Sequence, residues 1–476
     1  MVFTSYTFAI FFALVFGLYW CLRNHLDWQN RLLLLASYVF YGWWDVRFLG
    51  ILIALSAIGF VGAKLIEQSP SARLKKQYLV LSLTLIGGTL AVLKYYSFFV
   101  GSINSTTQFL GIQTQLSTLQ WLVPIGISYY VFMSVGYCVD VYRQQTKACG
   151  NIVTYCSYIS FFPHILSGPI AQSTKLLPQF YEKRKLNRAD IEEGIGLFLW
   201  GLFKKLAIAD MLAINVNYVF AHHVELKGSV LALGLAMYSF QVYADFSGYS
   251  DMASGVARLL GFKVGQNFNM PYFSRNIGEF WRRWHISLST WMRNYLYIPL
   301  GARGSNKWQY VRNMLFVFGF SGLWHGANWN FVVWGLLNGL FFVPYIITNK
   351  LKRYDKGVAY NQFLPTLSEF GGMLFTFLLV SLSRVFFRSP NFDTSISYLY
   401  HLFSGSLFSI PDFGLSCFYW IALLVGIEWL QREKSYTLNL STYPVVWRYA
   451  AYLSLVGLLF FIVDTSQQSQ FVYFKF

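Results

Sequence analysis

Charge is scarce in this chain. Of its 476 residues only 12% are charged, about half the share of an ordinary soluble protein. Acids are the scarcer sign, 20 Asp and Glu against 37 Lys and Arg. A soluble protein of this length covers itself with polar side chains, and here there are too few to do so. Cysteine is also sparse: Cys21, Cys138, Cys149, Cys156 and Cys417 include no CxxC pair, which argues against a disulfide framework or a thiolate zinc site. Walker, HExxH and GxSxG motifs are missing, and His285 and His325 are not at metal-ligand spacing on one helix. Together these absences exclude a soluble enzyme, a disordered chain and a disulfide-rich secreted module.

What is present is apolar. Hydrophobic residues make up 55% and aromatics 20%, with 16 Trp, 33 Tyr and 46 Phe. The composition defines an all-α, polytopic integral membrane protein. Apolar runs with little or no charge mark the expected spans: residues 5–22, 78–100, 121–139, 194–220, 228–260, 313–349, 370–383, 413–427 and 449–463. Two shorter runs, 32–44 and 48–63, suit a hairpin. A further run, 151–173, contains Pro163, Gly168 and Pro169 and reads as a broken or re-entrant helix, tolerable at membrane depth when buried in protein or lining water. The expectation is ten to twelve spans in a single membrane-embedded domain over residues 1–476. Leu18, Tyr19 and Trp20 ahead of Cys21 are too bulky for lipoprotein cleavage, so the first run reads as a retained helix.

The net charge is +17. Nucleic-acid binding is one source of such an excess, but here the basic residues cluster between apolar runs, as cytosolic loops do, and no nucleic-acid partner is expected. Arg73, Lys75 and Lys76 form one cluster; Lys175, Lys183, Arg184, Lys185 and Arg188 a second; Lys350, Lys352, Arg353 and Lys356 a third. The uncharged loop 101–120 is expected on the outer face. Run 313–349 is too long for one span and basic at both ends, which predicts that it enters and returns, with a break near Gly322 to Asn328.

Three polar constellations interrupt the apolar runs. His325 sits mid-run in SGLWHGANWN, where an ionisable side chain is costly and is usually turned into a cavity. Its imidazole could take a proton from an attacking hydroxyl, or could serve structurally on a backbone carbonyl. Trp324, Trp329 and Trp334 could wall a narrow tunnel. The second constellation runs from Phe280 to Tyr295. Read as one helix, it places Trp281, Trp284, Leu288, Trp291, Met292 and Tyr295 on one face, Arg282 and Arg293 to one side and Arg283 opposite, with His285 at the edge of the apolar stripe. Such a helix can lie at the membrane interface. The excess of Arg and Lys here could hold a phosphate-bearing cosubstrate, although headgroup anchoring needs the same residues and is the simpler reading of the pattern. The third is QVYADFSGYSD, whose Asp245 and Asp251 need buried partners: a histidine to orient, or an arginine such as Arg258 or Arg282. A transporter would keep such carboxylates too. Lys204, Lys205, His222, His223 and Glu428 read as ordinary loop or span-end residues.

FWRRWHISLSTWMRNYLYIPLG (residues 280–301) and SGLWHGANWNFVVWGLLNG (residues 321–339) closely resemble the bacterial membrane-bound O-acyltransferases. Supporting segments are LVPIGISYYVFMSVGYCVDVYR, FFPHILSGPI, YADFSGYSDMASGVARLLGF and the terminal FVYFKF. The pattern is closer to the alginate and peptidoglycan O-acetylation branch than to the branch that moves D-alanine onto teichoic acid. Ala244 stands where the family has Phe or Tyr, a departure that touches packing more than chemistry. The resemblance implies a helical bundle around a thin central funnel, with interfacial or re-entrant helices. It implies that His325 of the WHG motif is catalytic and that His285 of the RRWH motif is the second signature residue. It implies acetyl-CoA as a cytosolic acyl donor, with no permanently bound cofactor or metal. Donor contacts are expected from Arg282, Arg283, Arg293, Trp324 and Asn328. It further implies the bacterial inner membrane and its lipids, a periplasmic SGNH-type partner and a cell-envelope polysaccharide as acceptor. A transporter of acyl groups or glycans, and D-alanyl transfer, are the competing functions.

Overall fold

The computed structural model describes the chain except for residues 113–115, 120–121, 302–305, 349–353, 405, 412, 416, 435, 437, 439, 441–442 and 463–476. Lys350, Lys352 and Arg353 of the third basic cluster and the terminal FVYFKF therefore lie outside the described residues. Among the described residues every regular element is helical. Four helices are long and apolar enough to cross a membrane: Val46–Gln68, Ala72–Phe109, Trp329–Thr348 and Leu367–Arg388. Tyr6–Cys21, Cys417–Leu430 and Val445–Phe460 are apolar but shorter. This count does not confirm the ten to twelve spans expected.

Local chemistry sets the helix starts. Ser5, Asp45, Ser71, Asn276, Asn306 and Asn328 each accept a backbone N–H of the first turn, satisfying donors that no preceding turn can reach. Thr366 and Glu369 form a reciprocal capping box,. On the first helix Tyr6, Ile10, Leu14 and Leu18 are exposed while Phe8, Val15 and Tyr19 are buried. An outward apolar stripe at four-residue spacing fits a lipid neighbour rather than water.

The chain divides into two compact units, one of Met1–Asp190 with Ala257–Gly265 and one of Ile191–Val256 with Gln266–Phe476. In the first unit the expected helix pair appears as Leu26–Gly42 and Val46–Gln68. The expected broken segment is the helix Ile152–Ser160 followed by irregular chain through Pro163 and Gly168. Arg184, placed by its sequence in a cytosolic cluster, is instead buried. Its Nη2 donates to Asn30 Oδ1 at 2.5 Å and its guanidinium stacks 4.7 Å from the Phe262 ring.

In the second unit the long run breaks where expected. One helix ends at His325, the chain is extended at Gly326, and Asn328 caps the helix Trp329–Leu340. The two helices pack backbone to backbone: a Cβ on Gly322 would collide with the carbonyl oxygen of Phe331, and one on Gly335 with that of Phe318. Glycine is required there by close approach. The segment Phe280 to Tyr295 is not one helix. Ile277–Arg283 and Ile286–Met292 are separate helices, and His285 between them has φ of 42°. Asn267 turns the chain, its carbonyl accepting from Ile286 N–H at 2.9 Å and its Oδ1 from the Ser287 hydroxyl at 2.7 Å.

Candidate active site

The break at His285 changes where that side chain goes. On a continuous helix it would lie at the edge of an apolar stripe; in the left-handed conformation, which costs a non-glycine residue free energy, the ring is 1% exposed. It meets Phe246 edge-on at 4.7 Å and Trp324 at 5.9 Å between ring centroids. Neither ring nitrogen has a hydrogen-bond partner among the described residues. A buried, unpartnered imidazole is uncommon and marks a candidate functional group.

His325 is the last residue of its helix and is 4% exposed. Its ring lies 4.8 Å from Trp324, 5.0 Å from Trp334 and 5.3 Å from Phe387. The two histidines, 40 residues apart in sequence, thus pack against one indole, that of Trp324. Trp334 and Phe387, which pack on His325, also line a narrow pocket. Trp281 and Trp284 complete its aromatic wall, and Asn338 and Arg384 are its polar side chains.

The remaining sequence-predicted residues are distributed differently. Trp329, expected in a tunnel wall, is exposed. Asn328 accepts from Asn330 N–H at 2.9 Å and donates to the Pro390 carbonyl at 3.0 Å. Arg282 and Arg293 are exposed. Arg283 donates to Glu279 at 2.9 Å, and Glu279 also pairs with Arg275 at 3.0 Å. Arg275 in turn reaches Glu369 at 2.9 Å. Burial would raise the Glu279 carboxyl, which lies outside the four long apolar helices, but the Arg275 hydrogen bonds and the Arg283 charge outweigh it and hold it below the usual carboxylate range,.

Asp245 and Asp251 pair with lysines rather than with Arg258 or Arg282. Lys204 Nζ lies 2.7 Å from Asp251, and Lys205 Nζ lies 2.9 Å from Asp245 and 2.8 Å from Asp210. The helix widens into a π-helical turn over Lys204–Ala209, so consecutive lysines both serve buried acids. Glu428 is buried as well and accepts from the Tyr243 hydroxyl at 2.6 Å. The reading of Lys204, Lys205 and Glu428 as ordinary loop or span-end residues is therefore wrong. Arg258 pairs with Asp190 at 3.4 Å.

Arg384 and Asn338 went unnoticed in the sequence. The expected span ends at residue 383, whereas the helix runs on to Arg388 and Arg384 is 4% exposed. Asn338 had no sequence signal beyond being an amide within an apolar run.

The described chain is thus helical, with two histidines packed on one indole and two of the rings around His325 lining an aromatic pocket. The chain matches the model of the MBOAT, membrane-bound O-acyltransferase family, over residues 77–385, and belongs to that family. It is 38% identical over 418 residues to the probable alginate O-acetylase AlgI of Azotobacter vinelandii, covering 87% of this chain and 80% of that protein. It is 33% identical over 393 residues to the peptidoglycan O-acetyltransferase of Helicobacter pylori, covering 77% and 72%. The teichoic acid D-alanyltransferase of Bacillus subtilis is 28% identical over 258 residues, covering 51% of this chain and 64% of that protein.

Proposed function

We propose that this protein acetylates a bacterial cell-envelope polysaccharide, of the alginate or peptidoglycan kind. Acetyl-CoA on the cytosolic side of the inner membrane supplies the acyl group, and a periplasmic SGNH-type partner places it on glycan hydroxyls. The observation that carries this reading is the packing of His285 and His325 on one indole beside the aromatic pocket. The greater coverage and identity of the O-acetylating relatives favour acetyl over D-alanyl transfer.

In this reading His325 takes the proton of the acceptor hydroxyl as general base, or relays the acyl group. His285 hydrogen-bonds the donor thioester or orients the acceptor. Arg282 and Arg293, both exposed, contact the coenzyme phosphates in this reading,. Trp324 holds both imidazoles in place through its ring faces and edges.

The test is transfer from labelled acetyl-CoA by purified protein, wild type and His325→Ala at equal folded amount. Losing a general base lowers the rate by about 10²–10⁴-fold. Undiminished transfer in the variant would remove His325 from catalysis. Transport of intact glycan or carrier with no donor consumed would establish the transporter instead, and use of a D-alanyl thioester in place of acetyl-CoA would establish the D-alanyl reading.

A further inference from the structure

Arg384 is a buried cation with no carboxylate partner among the described residues. It lies on a helix apolar enough to cross a membrane, where an unpaired guanidinium is expensive. Nη1 donates to the Tyr272 hydroxyl at 2.6 Å, and the Tyr272 hydroxyl in turn donates to the Ser239 carbonyl. The guanidinium carbon stands 4.6 Å from the centroid of Trp284 and 5.4 Å from that of Tyr272. Aromatic faces support the charge but satisfy none of its N–H groups. A guanidinium has five N–H donors, and one of Arg384's is engaged among the described residues. The side chain lines the pocket.

The helices fix where this cation stands relative to His325. Phe387 packs on the His325 ring, and Arg384 lies three residues earlier on the same helix. Trp334 also packs on His325, and Asn338 lies four residues later on its helix. Residues at these spacings share a helix face about one turn apart. Asn338 Nδ2 donates to Ser383 Oγ at 3.2 Å, beside Arg384 in sequence. Arg384 and Asn338 are thus the polar side chains of the pocket, each about a helical turn along its helix from a ring that packs on His325. A reacting carbonyl between His325 and Arg384 would have an imidazole on one side and a guanidinium on the other.

We propose that Arg384 is a further catalytic residue, whose guanidinium receives the acyl carbonyl oxygen as it becomes an oxyanion. The inference rests on the acyl-transfer reading above. The acceptor hydroxyl oxygen bonds to the thioester carbonyl carbon while His325 takes its proton. The carbonyl π pair moves onto oxygen, where the Arg384 N–H groups hold the negative charge. When that pair returns, the carbon–sulfur bond breaks, and the leaving thiolate takes the proton from the His325 imidazolium. A preorganised donor in a site poor in water favours the charge that develops in the transition state more than the neutral carbonyl before it. The effect therefore falls on kcat rather than on donor binding.

The experiment compares Arg384→Gln, Arg384→Lys, Tyr272→Phe and His325→Ala in the full-length purified protein, with kcat and the KM for acetyl-CoA measured per folded molecule. Arg384→Gln should lower kcat by about 10²–10³-fold, as loss of an oxyanion donor does, with KM nearly unchanged. Arg384→Lys keeps the charge without the planar fork and should fall between. Tyr272→Phe removes one partner of Arg384 and should retain most of the turnover. Wild-type kcat in folded Arg384→Gln or Arg384→Lys, or a loss confined to KM, overturns the proposal. Should Arg384→Gln not fold, kcat of Arg384→Lys decides: a marked fall with KM held supports the oxyanion role and a wild-type value refutes it. If His325→Ala is inactive while both Arg384 variants turn over normally, this inference fails alone. If His325→Ala keeps wild-type kcat, His325 leaves the chemistry and the proposal, which pairs it with Arg384, is overturned; if no variant and not even the wild type consumes acetyl-CoA, the acyl-transfer reading fails as well.

Discussion

His285 and His325 pack against the same side chain, the Trp324 indole, at 5.9 and 4.8 Å between ring centroids. Trp324 is 4% exposed, so its removal leaves a cavity between two rings whose positions matter. Trp324→Ala should cost about 3–5 kcal/mol of stability. In the fraction that folds, kcat should drop about 10²-fold, since small misplacement of reacting groups is that costly. Trp324→Phe should recover most of both. Thermal unfolding in detergent beside acetyl-transfer kinetics checks this, and an alanine variant with normal kcat would deny the shared ring any positioning role.

Lys204 and Asp251 supply a second test. With the Lys204 side chain 3% exposed, breaking the pair strands a buried charge, at about 3–5 kcal/mol. Asp251→Asn and Lys204→Met should each reduce folded yield or thermal stability more than turnover per folded molecule. The Lys204→Met/Asp251→Asn double variant should be less destabilised than the sum of the single ones, because no lone charge remains. Full stability with activity gone in Asp251→Asn would move this carboxylate into the chemistry.

Gly322 tests the backbone packing behind His325. An added methyl group would meet the Phe331 carbonyl oxygen, which is held in the facing helix. Gly322→Ala should therefore push the two helices apart and lower kcat together with stability, by about 1–3 kcal/mol for an overpacked contact. Gly319→Ala, one turn away, would meet the end of the Leu336 side chain instead and should be milder. Equal effects at both positions would contradict this account.

The arginines expected to bind donor differ in exposure. Arg282 and Arg293 are exposed, whereas Arg283 is half-buried and donates to Glu279. Arg282→Glu and Arg293→Glu should raise the KM for acetyl-CoA in a salt-sensitive way, with folded yield intact. Arg283→Glu should lower folded yield by placing two carboxylates together. An unchanged donor KM in the first two variants would make headgroup anchoring their role.

The class of protein was legible from composition, because a chain this poor in charge cannot dress itself against water. The break between His325 and Trp329 was legible too, since a run of that length with polar and glycine residues at its centre cannot cross once as a plain helix. The histidine motifs pointed to the right chemistry through resemblance. Periodicity misled at His285, where a helical pattern continues through a residue whose backbone is left-handed; the cause is Asn267, 18 positions earlier, and local pattern carries no record of it.

Charge partners were likewise invisible before folding. Lys204 and Asp251 are 47 residues apart, and a pairing at that distance is decided by helix packing. Arg384 shows the limit most clearly. In sequence it marks the end of an apolar run, the ordinary place for an arginine; in the structure it is buried beside Trp284, with Tyr272 as its hydrogen-bond partner. The sequence by itself determined the membrane class, through its poverty in charge, and the acyltransferase family, through motif resemblance, because both are carried by runs of neighbouring residues. Only the tertiary structure decided that both histidines share one indole and that Arg384 lies on the helix whose Phe387 packs on His325, because those relations exist between helices and are fixed by how their faces meet.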